Sequence, residues 1–279
     1  MTFKRKINKF LYRHLPLKTY IKVAYYYYLK EKISIDNPQK FNEKLWWLAV
    51  YNEEYLSDLI FRCSDKYLVR EYLKEKGCEK YLNELYGVYN SAEEIDFEQL
   101  PDKFVLKITQ STGYNIICKD KSKLNIGNTI KQLNQWLYRS NNVDGKDMIE
   151  YYHYRGQAKI ICEKFLETED GGQPLDIRAM CFNGKPKLFY SNINMLNSDG
   201  QIRHDFVKNM YNDKWEFIPV DFAYRRDEKS IISMPDNFNE IQEITKKLSE
   251  DFPFVRVDLY IVHGKIYFGE LTWIPDGGI

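Results

Sequence analysis

The sequence is poor in the residues that bind transition metals or form cross-links. Its 279 residues include five cysteines and four histidines, and the cysteines form no C-x-x-C pair and have no histidine at ligand spacing. This pattern argues against a disulfide framework and against a zinc site. We therefore expect reduced thiols and a cytoplasmic protein. The cysteines are Cys63, Cys78, Cys118, Cys162 and Cys181.

Long apolar runs and an excess of one charge are also missing. No run approaches the roughly 20 residues of a membrane-spanning helix, and basic residues interrupt any N-terminal stretch that could act as a cleaved signal. The 41 basic and 40 acidic residues give a net charge of +1, so no global field argues for a nucleic-acid partner. Dinucleotide-binding G-x-G-x-x-G, P-loop and G-x-S-x-G motifs are absent.

The N-terminus is locally basic. Its first 32 residues contain nine lysines and arginines and one acidic residue, Glu31, with aromatic and apolar residues interleaved. A basic amphipathic helix of this kind can lie on the anionic inner face of a membrane. The alternative is a helix packed on the protein body with a solvated basic face.

Helix and strand signals are mixed along the rest of the chain without a strict β-α-β order, which favours an α+β fold. A helix is predicted from Ser64 to Lys76 with Gly77 as its C-cap, and a hairpin turn at Asn183-Gly184. Residues 196–236 are polar and suggest a long functional loop. The other predicted elements are strands at Leu85–Tyr89, Phe104–Ile108 and Tyr114–Cys118, a helix within 126–154, a strand in AKIICEKFLE, and a helix at Asn237–Glu250.

The last hairpin, VRVDLYIVHGKIYFGELTWIP, places charges on an apolar strand pair. If the turn at His263-Gly264 takes three residues, Asp258 lies opposite Glu270 and Arg256 faces Thr272. Opposed carboxylates repel unless one is protonated or a cation lies between them. A cation there suggests a Mg²⁺ site for a bound nucleotide. A two-residue turn would put the two carboxylates on opposite faces, and a solvated sheet face is the plainer alternative.

Three further motifs combine polar residues with apolar strands. In FVLKITQSTGYN, Lys107 precedes a small Gly-containing loop, Gln110–Asn115, whose N–H groups could hold phosphate; a hairpin with a snorkelling lysine is the alternative. ICEKFLE puts Glu163-Lys164 between apolar residues, which suits a clamped adenine. In LDIRAMCF, Asp176 and Arg178 share one strand face, which could equally be a solvated sheet surface.

Taken in order, these motifs resemble the ATP-grasp fold, and within it the TupA-like branch found with teichuronopeptide and capsular polysaccharide genes. The resemblance covers roughly residues 38–276 and rests on five segments in order. It implies two α+β subdomains that clamp a nucleotide. The divisions are 1–60 (basic helical segment), 61–162 (lid or N-subdomain) and 163–279 (C-subdomain with the metal-binding hairpin). The segments are SDKYLVREYLKEKG, FVLKITQSTGYN, IICEKFLE, DIRAMCFNGKP and FVRVDLYIVHGKIYFGELTWIP.

The resemblance also implies a role for each motif residue. Lys66 and Lys107 would hold the nucleotide phosphates beneath the loop Gln110, Ser111, Thr112 and Gly113. Glu163, Lys164, Phe165 and Leu166 would form the adenine-binding connection, and Asp176 would lie near the ribose. Arg178 and Arg256 would stabilise phosphate or acyl-phosphate, while Asp258 and Glu270 would hold Mg²⁺.

Two departures from the family pattern stand out. Thr272 occupies the last metal-ligand position, where relatives have Asn, which puts a second metal ion in doubt. The chain ends at GGI, where relatives would continue. Within 196–236, a lysine could reach the γ-phosphate, Lys208 or Lys214. The candidate substrate contacts there are Arg203, His204, Asp205, Lys208, Asp213, Lys214, Arg225 and Arg226.

Relatives of this kind phosphorylate a carboxylate, and an amine then attacks the acyl-phosphate. The resemblance therefore implies an ATP- and Mg²⁺-dependent ligase acting on a carboxylate-bearing sugar of a bacterial surface polysaccharide, with an amino acid or amino sugar as the amine, or the reverse. A glycosyltransferase is a competing reading, although no Asp-x-Asp occurs in the chain. A kinase and a non-catalytic binding module also stay open.

Overall fold

A computed structural model of the chain describes residues 10–11, 14–51, 58–142, 156–169, 171–193, 195, 203, 205–220 and 224–278. No helix in these ranges has the length and apolar character to cross a membrane. The α-helices are α1 (Leu17–Leu29), α2 (Phe41–Tyr51), α3 (Asp58–Ser64), α4 (Val69–Glu75), α5 (Ile126–Asn142) and α6 (Phe238–Ser249).

The smaller of two antiparallel sheets has four strands in the order β1-β4-β2-β3. Alternation along its strands separates an apolar face from a polar face. Phe104, Leu106 and Ile160 are fully buried and pack with Leu133 of α5. Lys107 and neighbouring polar groups therefore point away from that core. The strands are β1 (Leu85–Tyr89), β2 (Phe104–Ile108), β3 (Asn115–Cys118) and β4 (Ile160–Lys164).

The larger sheet has six strands in the order β10-β9-β5-β6-β7-β8, and the paired strands β10-β9, β9-β5, β5-β6, β6-β7 and β7-β8 are antiparallel. The irregular segment after β4 connects the two sheets along the chain. The strands are β5 (Leu175–Phe182), β6 (Lys185–Ile193), β7 (Val207–Asn212), β8 (Phe217–Ile218), β9 (Phe254–Val262) and β10 (Lys265–Thr272).

One face of the larger sheet forms the main core. Ile177, Val257 and Phe189 are fully buried there against Ile241 and Leu248 of α6. Side chains of α1, α3 and α4 extend the same apolar cluster. The amphipathic pattern of α6 explains this packing, because its apolar residues recur every three or four positions. The opposite face is thereby left for polar side chains.

Helix α2 covers one end of that opposite face. Its Leu45 packs with Met180, Tyr190 and Phe254 in a separate small cluster. Glu43, in the first turn of α2, is 5% exposed and accepts backbone hydrogen bonds from Ser34, Gln39 and Lys40 at 2.8–2.9 Å. This carboxylate holds the preceding loop against the helix. Helix α2 does not extend over the other end of the sheet face.

The α+β class predicted from the sequence is confirmed, with shifts in two helices. The helix predicted from Ser64 is interrupted, because Asp65 accepts hydrogen bonds from the backbone of Tyr67 and Leu68 and forms a turn before α4. Gly77 does follow that helix with a positive φ of 64°. In the helix predicted within 126–154, the described part is α5, and residues 143–155 lie outside the described residues.

The prediction of one long loop at 196–236 is wrong for its central part. Strand β7 pairs with β6 from Val207 to Asn212, and β8 pairs with β7. A short 3₁₀ turn follows at Glu228–Ser230. The polar residues of VKNMYN do not fit the usual pattern of a buried strand. Asn209 can nevertheless be buried there, because its amide donates hydrogen bonds to the carbonyls of Asp227 and Ser230. Residues 196–202, 204 and 221–223 lie outside the described residues.

Candidate active site

The β9–β10 hairpin places Asp258 directly opposite Glu270, as predicted, but by a different route. The turn has two residues, His263 and Gly264, with positive φ values of 51° and 71°. A two-residue turn alone would offset the carboxylates. The register shifts between Phe268 and Glu270, and this bulge restores the opposed pair.

Gly269 makes the bulge possible. A Cβ atom built on this residue would lie 3.0 Å from the carbonyl oxygen of Asp258 and 3.0 Å from the ring of Tyr260. Those distances are too short for comfortable contact, so the backbone can approach this closely only without a side chain. The bulge thus fixes which side of the sheet Glu270 faces.

The cation between the two carboxylates is a side chain of this protein. Arg256 donates to Asp258 from Nε at 2.6 Å and from Nη2 at 2.7 Å, a two-bond pairing. The same Nη2 donates to Glu270 at 3.1 Å and to the Thr272 hydroxyl at 3.0 Å. Arg256 thus supplies positive charge between the two carboxylates, and Thr272 is a partner of Arg256. The assignment of Mg²⁺ to Asp258, Glu270 and Thr272 stays a prediction.

The two carboxylates differ in accessibility and protonation. Asp258 is 2% exposed, and burial raises its pKa to about 6 although Arg256 and Arg178 oppose this shift. The Glu270 side chain is 47% exposed. Burial raises its pKa less than the nearby Arg256, Lys66 and Arg178 lower it, so Glu270 has a pKa below the ordinary value. Of the two carboxylates, Glu270 has the lower pKa and is the one that reaches the solvent side.

A cavity of about 270 Å³ lies over this hairpin, between the two sheets. Both sides of the cleft contribute cationic side chains: Lys66 on the side of the small sheet, and Arg178, Lys208 and Arg256 on the large sheet. The lining residues are Ser64, Lys66, Thr112, Arg178, Asn192, Met195, Phe206, Lys208, Tyr224, Arg256, Glu270, Leu271, Thr272, Trp273, Ile274 and Asp276.

Lys66 is tied to the predicted phosphate loop. Its amine donates to the carbonyl of Ser111, and its backbone N–H donates to the carbonyl of Thr109 at 3.0 Å. Gln110 donates to the side chain of Asp65 at 3.1 Å, which fastens the loop to the same turn. At the loop tip Thr112 and Gly113 are exposed, and Thr112 lines the cavity. Burial lowers the pKa of Lys66, and the neighbouring Glu270 opposes that shift.

Lys107 does not line the cavity in this structure. It donates to Glu163 at 2.7 Å, and Arg70 approaches the other oxygen of that carboxylate at 3.4 Å. Glu163 lies on β4 and is 7% exposed, whereas Lys164 is exposed and its amine lies 3.2 Å from Glu84. Phe165 and Leu166 follow in the irregular segment that leaves β4.

Asp176 and Arg178 form a second charged pair on the polar face. Arg178 Nε donates to both oxygens of Asp176, at 3.1 and 3.2 Å, and approaches Asp258 at 3.6 Å. Asn192 donates to Asp176 at 3.0 Å. Because an ionised carboxylate only accepts hydrogen bonds, this contact turns the Asn192 amide oxygen away from Asp176.

Of the two lysines considered for the γ-phosphate, the structure brings Lys208 to the cavity. Lys208 is 5% exposed, lies 3.5 Å from Asp276, and has the rings of Tyr190 and Tyr224 about 5 Å away. Burial lowers its pKa, and Arg178 adds to that effect. Lys214 is exposed in the turn between β7 and β8 and is not among the lining residues.

The cavity residues that the sequence did not assign to the site include Asn192, Tyr224 and Asp276. The amide oxygen of Asn192 is buried and has no hydrogen-bond partner among the residues that the structure describes. Its position opposite Asp176 depends on a bulge in the β5–β6 pair, where the register shifts between Met180 and Cys181. The structure confirms the predicted turn at Asn183-Gly184. Counting residues from this turn would not place Asn192 opposite Asp176, because the bulge shifts the register.

The residues present fit a nucleotide-bound magnesium ion. Within the described ranges no three acidic, histidine or cysteine side chains converge. Mg²⁺ held with a nucleotide takes one or two carboxylates and completes its shell with phosphate oxygens and water. Glu270 would supply such a carboxylate, because it is half exposed and lines the cavity, whereas Asp258 is buried behind it and is not among the lining residues.

These features define a nucleotide-binding cleft of the ATP-grasp type: two antiparallel sheets, a cation-lined gap and an acidic hairpin. A family model described as TupA-like ATP-grasp matches residues 43–279. The chain belongs to the TupA-like ATP-grasp family.

Solved structures of several ligases are similar at low identity. D-alanine–D-alanine ligase from Bacillus anthracis is 14% identical over 75% of this chain and 56% of that chain, with a TM-score of 0.46. Phosphoribosylamine–glycine ligase from Thermotoga maritima is 13% identical over 87% and 60%, with a TM-score of 0.49. L-amino acid ligase from Bacillus licheniformis is 16% identical over 78% and 44%, with a TM-score of 0.43. The chain thus matches about half the length of each. A comparison with curated proteins gives no match.

Proposed function

We propose that this protein is an ATP-dependent ligase that joins a carboxylate to an amine through an acyl-phosphate. The observation that carries the proposal is the convergence of Lys66, Arg178, Lys208 and Arg256 around Glu270 in one cavity. Four cations facing one half-exposed carboxylate suit a polyanion that arrives with a magnesium ion.

The reaction needs charge neutralisation and positioning rather than a protein nucleophile. A carboxylate oxygen of the substrate attacks the γ-phosphorus, and ADP leaves. The amine then attacks the acyl carbon, the carbon–oxygen bond breaks, and phosphate leaves while the amine loses a proton to solvent. Lys66 and Arg256 would bind the phosphates from opposite sides of the cavity, and Arg178 and Lys208 would bind the carboxylate that becomes the acyl-phosphate.

Magnesium, held by Glu270 and Asp258, would neutralise the triphosphate. Lys107 and Glu163 pair with each other at 2.7 Å, and we infer that nucleotide binding exchanges this contact for contacts to phosphate and adenine. Lys164 to Leu166 would border the base, and Asp176 the ribose. A cavity of about 270 Å³ has room for the reacting groups. The nucleoside would therefore extend out of it toward Lys164 to Leu166.

For the substrate we propose a bacterial surface polysaccharide or its precursor. The carboxylate would be a uronic acid and the amine an amino acid or amino sugar, or the two roles would be exchanged. Capsule or teichuronopeptide synthesis is the proposed setting. A chain of this composition would work in the cytoplasm.

The test is ADP release from Mg·ATP in the presence of uronic-acid glycans and amines, added singly and together. We expect release that requires both partners. Release with the acid alone, with a stable phosphorylated product, would indicate a kinase. ATP binding without release would indicate a binding module, and turnover of a nucleotide sugar without ADP would indicate a glycosyltransferase.

Glu270→Gln removes the carboxylate charge while keeping the shape. We expect ADP release to fall about 100-fold, because a preorganised electrostatic contact is typically worth that much. The melting temperature should change by no more than about 2 °C, since the side chain is half exposed. Glu243→Gln on the exposed side of α6 is the matched control. Unchanged release in Glu270→Gln removes the residue from the site.

A pair of lysine variants tests the assignment within one stretch of chain. Lys208→Met should raise the KM for the carboxylate, since Lys208 lines the cavity. Lys214→Met should leave all kinetic constants unchanged, because Lys214 is exposed in the β7–β8 turn. The opposite result would return the role to Lys214.

A further inference from the structure

A second surface feature lies outside the cavity, on helices α1 and α2. Six aromatic side chains of these two helices are exposed, among them Tyr26 at 55%, Tyr27 at 50%, Trp47 at 39% and Tyr51 at 45%. Large aromatic side chains grouped on a surface commonly mark a contact site. Together with two lysines they define what we call the aromatic-basic surface: Lys22, Tyr26, Tyr27, Lys30, Trp47 and Tyr51.

The helical repeat explains how α1 presents this surface. Tyr20, Ile21, Ala24 and Tyr25 are at most 6% exposed and face the core. Residues on the opposite side of the helix must then face solvent, at spacings of three and four. Lys22, Tyr26 and Lys30, the last at the C-cap, follow that spacing and are exposed.

Helix α2 continues the surface on one side. Asn42 near its start donates to Tyr25 at 2.7 Å, and Tyr51 at its end accepts from Lys18 at 2.7 Å. The two helices therefore run antiparallel and side by side. Tyr51 therefore lies beside the first turn of α1, and the Trp47 ring is 6.0 Å from the Tyr51 ring.

The charge of this region is positive. Helix α1 has two lysines and no acidic residue, and Lys30 caps it. The two acidic residues of the following loop are both paired with lysines: Asp36 binds Lys18 and lies 3.9 Å from Lys22, and Glu31 binds Lys40. In the sequence, residues 1–16 add five lysines and arginines and no acidic residue.

We propose that the aromatic-basic surface binds the anionic headgroup layer of a lipid bilayer. Tyrosine and tryptophan favour the water–hydrocarbon boundary, and lysines beside them bind lipid phosphates. A protein partner fits less well, because the cores of protein interfaces are depleted in lysine. A second copy would bring the same lysines face to face. This inference is independent of the proposed ligase reaction.

The experiment is co-sedimentation of the full chain with lipid vesicles. We expect binding to vesicles of phosphatidylglycerol and phosphatidylcholine at 30:70 (on the order of a natural anionic fraction), and none to phosphatidylcholine alone. Raising the NaCl concentration from about 0.05 to 0.5 M should reverse most of it, since screening shortens the reach of the lysine charges.

Two double variants separate the lysine and aromatic contributions. Each lysine near an anionic surface is worth about a fivefold change in affinity, so Lys22→Ala/Lys30→Ala should bind about 25-fold more weakly. Tyr26→Ser/Tyr27→Ser should bind vesicles more weakly at every salt concentration. It should also lose the fraction of vesicle binding that the wild type retains at high salt. Neither variant alters buried residues, so circular dichroism should be unchanged.

The matched control is Lys246→Ala/Lys247→Ala, two exposed lysines in the last turn of α6. It should bind vesicles as the wild type does. Equal loss in the control and in Lys22→Ala/Lys30→Ala would show a diffuse charge effect and overturn the assignment. Absence of vesicle binding overturns it too, and a concentration-dependent mass in light scattering would then assign the surface to a second copy.

Discussion

The two faces of the six-stranded sheet are built from alternate residues of the same strands, yet they have opposite chemistry. Val255, Val257 and Leu259 of β9 are fully buried in the main core. Arg256 and Asp258 between them are nearly as buried, at 3% and 2% exposed. The two faces therefore do not differ in how deeply their side chains are buried. They differ in whether those side chains make apolar contacts or ion pairs.

On the apolar face, stability comes from area removed from water. On the polar face, each buried charge needs a partner, because an isolated charge costs several kcal/mol, about 3 or more, to bury. Arg256 meets that need for Asp258, and Arg178 does so for Asp176. The polar face thus has paired charges next to the cavity in place of the apolar packing found on the other face.

The largest effect should come from breaking the apolar face. Phe189→Ala removes a fully buried ring that packs with Phe238 and Trp215, at centroid distances of 5.1 and 5.9 Å. We expect a loss of about 4 kcal/mol in the free energy of unfolding. Chemical denaturation measures it. Turnover per folded molecule should be preserved, and a selective loss of turnover would contradict the division between the faces.

Breaking the polar face at Arg256 should cost slightly less stability but all turnover. Arg256→Leu leaves Asp258 buried without its two-bond partner, which should cost about 3 kcal/mol. Adding Asp258→Asn removes the orphaned charge and should recover about half of that loss. Turnover should stay absent in the double variant. Denaturation and ADP release measure the two effects separately.

A buried carboxylate away from the cavity sharpens the comparison. Glu43 accepts three backbone hydrogen bonds, which hold its pKa below the ordinary value. Glu43→Gln should therefore lose about 2 kcal/mol at pH 7. The ionised form stabilises the fold fully above a carboxyl's ordinary pKa, and this stabilisation is lost as pH falls through the lower folded value. The wild-type and variant stabilities should converge below about pH 4; a constant difference would refute the assignment.

The smallest effect is expected at the bulge. Gly269→Ala places a methyl group 3.0 Å from the Asp258 carbonyl oxygen, and a loss of about 1 kcal/mol should follow as the strands shift. Turnover should fall by more than this loss explains, since Glu270 moves with its neighbour. Val220→Ala, at an exposed position after β8, serves as the stability control.

Local patterns in the sequence were sufficient for several elements. Alternation predicted Phe104–Ile108 to the residue, and turn chemistry predicted the Asn183-Gly184 hairpin. The five ordered segments indicated the family that the comparison later showed. These features depend on neighbours within a few residues, so a single sequence carries them.

Features set by distant contacts were not predictable in the same way. Strand β7 contains the polar residues Lys208, Asn209 and Asn212. The Asn209 amide donates to carbonyls about twenty residues away in sequence. The Arg256 contact with both carboxylates depends on a bulge for which the sequence offers only Gly269 as a sign. The roles of Lys66 and Lys107 in nucleotide binding, and the domain divisions, stay predictions.

The bulge in β10 also has a bearing on how this hairpin tolerates change. Strands alternate with a parity of two, and one extra residue reverses that parity for everything beyond it. Insertion of two residues at the hairpin tip would keep Glu270 on the same face of the sheet. A single deletion in β10 would instead place its carboxylate on the core side. Odd-numbered length changes are thus the ones that this part of the chain cannot accommodate.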